Sequence, residues 1–169
     1  NSKMGVFLIN FFYLMRYTLS FKSLKQADIL LLDRNYSNLN LKKFKTIVFD
    51  YKKIFFSIFF KSFYRYLIFN PEKKKLKEVY FKIFLENINP KVIIGHHENY
   101  LIFSVKKYYP TSKIIVYLHH RLFKSQVNNL KKKSKNSSID YFFVCDHLHK
   151  KILQKYFKCK FIIIGLIKN

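Results

Sequence analysis

The strongest constraint on this chain's fold is a beat of short apolar runs set between longer helical segments. From Asn89 onward, Val92–Ile94, Lys113–Leu118 (KIIVYL), Tyr141–Cys145 (YFFVC) and Phe161–Ile164 are short runs rich in Ile, Val and Phe. Between them lie Tyr100–Tyr108, Leu122–Lys133 and His147–Tyr156, punctuated by Pro110 and the polar loop Lys135–Ser138. Continuous apolar runs too short for helices suit strands covered on both faces. Strands alternating with helices build βαβ units with right-handed crossovers. The expected class is α/β, with a doubly wound, mainly parallel sheet flanked by helices.

The first half reads less regularly. Asp28–Asp33 (DILLLD) and Thr46–Phe49 (TIVF) are two further strand-like runs. The first 26 residues read as a helix, because Phe7, Leu8, Phe11, Phe12, Leu14, Met15 and Leu19 form a broad apolar stripe. Lys52–Phe69 reads as a long, nearly apolar helix with Ser57, Lys61 and Arg65 as its narrow polar stripe. Asn70-Pro71 ends it, since a residue before proline is pushed out of the helical region. A further helix follows at Glu72–Asn87, closed by Pro90. No repeat or linker interrupts the chain, so 1–169 reads as one domain. The apolar run Met4–Met15 spans 12 residues, fewer than the ~18–20 of a membrane-crossing helix. Two cysteines, Cys145 and Cys159, make neither a disulfide framework nor a zinc cluster.

Charge says less than its size suggests. With 33 Lys and Arg against 9 Asp and Glu, the formal charge is +24, a balance that usually points to nucleic acid or an acidic membrane. Lys outnumbers Arg 29 to 4, however, and Arg is the residue suited to bidentate phosphate and base contacts. Lys, Phe, Ile, Tyr and Asn, all with codons rich in A and T, supply 94 of the 169 residues. Genome composition therefore accounts for most of the charge, and nucleic acid is not an expected partner. The lysine runs 73–77 and 131–135 read as solvated helix faces or loops, and Lys52–Phe69 as a helix packed on the sheet beside a partner domain. Contact with an anionic membrane surface is the alternative for all three.

Ligands of open parallel sheets bind outside the carboxyl ends of the strands. Those positions hold Gly95-His96-His97-Glu98-Asn99, His119-His120-Arg121, Asp146-His147-Leu148-His149 and Gly165-Leu166. All six histidines fall there. Three explanations are open. A sugar- or phosphate-handling cleft would use histidine as general base or hydrogen-bonding group, with Arg121 holding an anion. A metal site would use histidines with Glu98 or Asp146. Or histidine merely fills loop positions. The sequence carries no HExxH, zinc knuckle, GxGxxG, P-loop or GxSxG, so no metal and no cofactor is expected in this domain. Gly95 and Gly165, two of three glycines, suit tight backbone geometry or close ligand approach.

Three segments carry a family resemblance: Asp28–Tyr51, Asn89–Arg121 (NPKVIIGHHENYLIFSVKKYYPTSKIIVYLHHR) and Asp140–Asn169. Together they resemble bacterial surface-carbohydrate biosynthesis proteins of the GT-B-like type, loosely related to the glycerophosphotransferases of teichoic-acid synthesis. The resemblance spans about residues 28–169 and rests on diffuse motifs. It implies a Rossmann-like, acceptor-side N-terminal domain. A second Rossmann-like domain beyond Asn169 would bind the nucleotide-activated donor, and both chain ends read as cut from something longer. The implied activity is transfer of a sugar or glycerophosphate to a saccharide or lipid-linked acceptor. It would act in the cytoplasm or on the inner face of the cytoplasmic membrane. Carried over by position, His97 and His120 are the candidate catalytic bases. Glu98, Asn99, His119, Arg121, Asp146, His147 and Gly165 are the candidate substrate-binding residues. Two departures stand out: His119-His120-Arg121 replaces a Gln-Asn-Gly-type turn, and Leu166 replaces a small residue after the last glycine. A basic membrane or nucleic-acid-binding module without catalysis is the alternative.

Overall fold

The computed structural model describes residues 18–33, 41, 43–68, 75–118, 120–135 and 137–165. The sequence reading takes 1–169 as one domain; the contacts divide the chain into two compact units, 1–25 with 50–88, and 26–49 with 89–169.

The second unit is the expected α/β fold, a Rossmann-like parallel sheet. Its strands are β2 (Ile29–Leu31), β3 (Thr46–Val48), β5 (Val92–His96), β6 (Lys113–Tyr117), β7 (Tyr141–Val144) and β8 (Lys160–Ile163). They lie in the order β3-β2-β5-β6-β7-β8, every pair parallel. Winding runs outward in one direction from β2 to β3 and in the other from β5 to β8. Winding therefore reverses between β2 and β5, and the carboxyl ends at such a reversal are where open parallel sheets bind their ligands.

Register sorts the side chains into two faces. Leu30, Ile93 and Ile114 share one row, and Gly95, Val116, Phe142 and Phe161 the next. Leu30, Ile93, Ile114, Val116 and Phe142 are wholly buried, each burial contributing about 1.5–3 kcal/mol. Helix α3 (Tyr100–Tyr108) packs on β5 and β6, and α5 (His147–Leu153) on β7 and β8. Ile102 and Phe103 of α3 meet that face, with the Phe157 ring between Phe103 and Phe142, tilted to the first at 6.0 Å and edge-on to the second at 5.4 Å. Helix α4 (Lys124–Ser134) inserts Leu130. On the other face Ile29, Leu31 and Tyr117 gather Leu41, Val48, Val92, Ile94 and Phe143.

The amino ends of the strands are pinned by carboxylates. Asp140 accepts from the Ile114 N–H at 2.7 Å and pairs with Lys106 at 3.0 Å. Burial raises its pKa, but these partners prevail and leave it below the usual carboxylate range. Asp28 pairs similarly with Lys91 at 3.1 Å.

The first unit holds a parallel pair, β1 (Thr18–Ser20) with β4 (Lys53–Phe55), and two helices packed together, α1 (Phe56–Ile68) and α2 (Leu76–Ile88). Two helical expectations are corrected here. Residues 18–20 are extended rather than helical, while 1–17 lie outside the described residues. Lys52–Phe69 begins as a strand and turns helical only at Phe56. Lys-Ile-Phe is too short for periodicity to separate strand from helix, and its partner lies more than thirty residues upstream. The phenolic oxygen of Tyr80 on α2 accepts from the Phe55 N–H at 3.0 Å, fixing that strand-to-helix change. Phe81, Phe84, Leu85 and Ile88 of α2 fill this unit's core with Ile58. The face of α1 bearing Phe56, Phe60, Tyr64 and Leu67 is exposed. Among the described residues no helix is long and apolar enough to cross a membrane.

Candidate functional site

The carboxyl ends of β2 and β5 are joined through an acid. Asp33 follows β2 by two residues, and Oδ1 accepts from His96 Nε2 at 3.1 Å and from Asn99 Nδ2 at 3.2 Å. Its other oxygen accepts from the His96 N–H at 3.1 Å. Burial pushes Asp33 up, but the bonds from His96 and Asn99 outweigh it, and its pKa lies below the ordinary value. His96 is closed on both sides, because Nδ1 accepts from the Glu98 N–H at 3.1 Å. Asn99 caps α3, its side-chain oxygen accepting from the Leu101 N–H at 3.0 Å. Asp33, His96 and Asn99 thus brace the turn after β5.

That turn carries the reactive groups outward. His120, three residues after β6, fixes its ring by Nδ1 against the Arg121 carbonyl at 2.8 Å. A carbonyl only accepts, so Nδ1 carries hydrogen and Nε2 is the basic nitrogen of the neutral ring. Nε2 faces Glu98 Oε1 at 3.4 Å. His97 Nε2 lies 4.0 Å from the same oxygen, and the two imidazoles meet edge-to-face at 4.9 Å. Gln126, in the first turn of α4, donates to Glu98 Oε1 at 3.2 Å. Ligating atoms of His97, Glu98 and His120 all lie within 4.8 Å of one another. Side-chain exposure grades from 2 % for His97 to 34 % for His120 and 48 % for Glu98, so an incoming molecule meets Glu98 and His120 first.

One lysine of the 131–135 run is drawn into this turn. Lys133 donates to the carbonyl oxygens of His97 and Glu98 at 3.1 and 3.4 Å. Its ammonium sits 4.0 Å over the Tyr100 ring and 4.9 Å over Phe103. Burial lowers its pKa, and Glu98 offsets part of that.

The remaining strand-end residues divide differently. Asp146 caps α5, accepting from the His149 N–H at 2.9 Å and His149 Nδ1 at 2.7 Å. His149 Nε2 in turn accepts from the Leu122 N–H at 3.0 Å, so this buried histidine ties α5 to the loop after β6. The hydrogen bonds from His149 hold Asp146 below its usual pKa. His147 and Arg121 are exposed. Gly165 has a φ of 76°, a left-handed conformation natural to glycine. His119 lies outside the described residues.

Sequence reasoning brings His97, Glu98 and His120 to one place. It misses Asp33, which stands at a strand end like the others. It also misses Gln126 and Lys133, whose roles come from α4 packing beside the turn. Comparison with protein-family models, characterised proteins and solved structures finds no match to this chain.

Proposed function

We propose that the second unit is the acceptor-side domain of a GT-B-like transferase that moves a sugar or glycerophosphate onto a saccharide or lipid-linked acceptor. The observation supporting this reading is His120. Its Nδ1–H is fixed on the Arg121 carbonyl, its basic Nε2 faces Glu98, and it stands partly exposed at the carboxyl end of the sheet. In this mechanism His120 Nε2 takes the acceptor hydroxyl proton as the oxygen attacks the activated carbon or phosphorus, the donor's bond to its nucleotide breaks and the nucleotide leaves with the electron pair. The Glu98 carboxylate stabilises the imidazolium that forms, and buried His97 backs the pair. Exposed Arg121 is available to an anionic group of the acceptor. The activated donor would be held by a second Rossmann-like domain.

Titrating the isotopically labelled chain with oligosaccharides, glycerol phosphate oligomers and nucleoside-diphosphate sugars tests this. Acceptor-type ligands should shift the His120 and Glu98 resonances, with the response lost in His120→Ala. Nucleotide sugars should bind poorly, and no transfer should occur. Tight nucleotide-sugar binding without acceptor binding, or turnover from these 169 residues alone, would overturn the reading.

A second reading concerns the first unit. Phe21, Phe56 and Phe60 form a chain of rings 4.9 and 4.7 Å apart, all exposed, and Tyr64 and Leu67 extend the surface. Lys61 and Arg65 lie on the same helix. Apolar rings among basic groups suit the interface of an anionic bilayer. Co-sedimentation with phosphatidylglycerol vesicles should fall in Phe60→Ser and at high salt, and be unchanged in His120→Ala.

A further inference from the structure

We propose that His97, Glu98 and His120 form a binding site for a divalent transition-metal ion, with Zn²⁺ the best-fitting species. The donor set is two imidazoles and one carboxylate, a combination used by zinc sites that keep a position open. Hard ions such as Mg²⁺ and Ca²⁺ favour oxygen ligands instead. His120 Nε2 and Glu98 Oε1 are already 3.4 Å apart, the edge of a tetrahedron with metal–ligand bonds of about 2.0–2.1 Å. His97 Nε2 is 4.0 Å from that oxygen. The ligating atoms of all three side chains lie within 4.8 Å of one another, so closing them round one ion calls for small side-chain rotations.

The groups behind the three ligands make the stronger argument. A metal-binding histidine characteristically gives its other ring N–H to a carbonyl or carboxylate, which fixes the tautomer and aims the lone pair. His120 does this through Nδ1 and the Arg121 carbonyl. A ligating carboxylate is itself hydrogen-bonded, as Glu98 is by Gln126. Lys133 holds the backbone carbonyls of both His97 and Glu98, so the turn bearing two ligands is clamped. His96 Nδ1 is 3.9 Å from Glu98 Oε2, but it already accepts from a backbone N–H and is not a ligand. Lys133 is the opposing charge, and its ammonium is spread over two carbonyls and two rings.

This inference concerns the site of the proposed transfer but does not depend on transfer chemistry: a bound ion would occupy the His120 Nε2 lone pair, so the metal-loaded state and the state in which that nitrogen acts as base exclude one another. An ion there would act as a Lewis acid toward a bound hydroxyl or phosphate. The test uses the tag-free, metal-stripped 169-residue chain. Calorimetric titration with Zn²⁺ should give one equivalent bound, and Co²⁺ should develop visible absorption of low-coordinate geometry. Glu98→Gln, at an exposed position, and His120→Ala, at a partly exposed one, are expected to fold and should each weaken binding at least tenfold. Gln126→Ala should weaken it less, and Cys145→Ser, Cys159→Ser and His149→Gln should leave it unchanged. No stoichiometric binding would overturn the proposal, as would binding kept in Glu98→Gln and His120→Ala but lost in a cysteine variant. Acceptor-induced shifts in a chain that binds no Zn²⁺ would sink the metal site and leave the transferase reading standing. Zn²⁺ binding without acceptor response would do the reverse.

Discussion

Asp33 and His96 meet at 3.1 Å across the point where the sheet's winding reverses. The pair joins the carboxyl end of β2 to that of β5 and holds the turn that presents His97 and Glu98. Asp33 takes three hydrogen bonds with its side chain 13 % exposed. Removing it strands donors in a protected place.

Asp33→Ala should therefore lower unfolding free energy by about 2–3 kcal/mol, measured by urea denaturation at neutral pH. The folded pKa of Asp33 is depressed, so its ionisation stabilises the fold above the unfolded carboxylate pKa. That stability is lost as pH falls through the lowered folded value. The gap between wild type and Asp33→Ala should accordingly narrow in acid, while a gap independent of pH would contradict the assignment.

His149 and His120 should behave oppositely although both follow strands. His149 bridges Asp146 and the Leu122 N–H while almost wholly buried. His149→Phe should cost about 1–3 kcal/mol by orphaning that N–H, and should leave acceptor and metal binding intact where folded. His120→Ala should change stability little and abolish ligand responses. Thermal melts alongside the NMR titration separate the two.

Gly95 faces α3 at close range. A Cβ there would lie 3.3 Å from both Cβ and Cδ1 of Ile102, so Gly95→Ala should cost about 1–3 kcal/mol by overpacking. Ile102→Val removes the Cδ1 contact and should recover part of that loss in the double variant, as read from a double-mutant cycle.

Neither cysteine should be reactive. Burial, with Asp140 nearby, pushes the Cys159 thiol up to about 11. Burial and then Asp146 raise Cys145 as well. Both should alkylate slowly with iodoacetamide at pH 8 in the native protein and rapidly in urea, because the thiolate is the nucleophile. Rapid native labelling of Cys159 would contradict this placement.

The sequence by itself determined the α/β class and the edge on which the histidines lie. Ile-, Val- and Phe-rich runs such as Lys113–Leu118 declare themselves as buried strands, and a residue just past such a run must emerge at its carboxyl end. Local pattern also placed Tyr100–Tyr108, with Pro110 trailing it, while the capping role of Asn99, expected to bind substrate, came from the structure. It failed at Thr18–Ser20 and Lys53–Phe55, where a non-local pairing set the conformation. Only the tertiary structure decided which histidines brace the fold and which gather on Glu98. His96 bonds Asp33 past the end of β2 and the Glu98 N–H of its own turn, and His149 bonds the cap Asp146 and the distant Leu122 N–H. His97 and His120 come together on Glu98 because β5 and β6 are neighbours in register, Gly95 beside Val116 and His96 beside Tyr117. Strand adjacency and α4 packing are properties of the assembled chain. They alone turned a scatter of strand-end histidines into a braced turn carrying a His–Glu–His cluster.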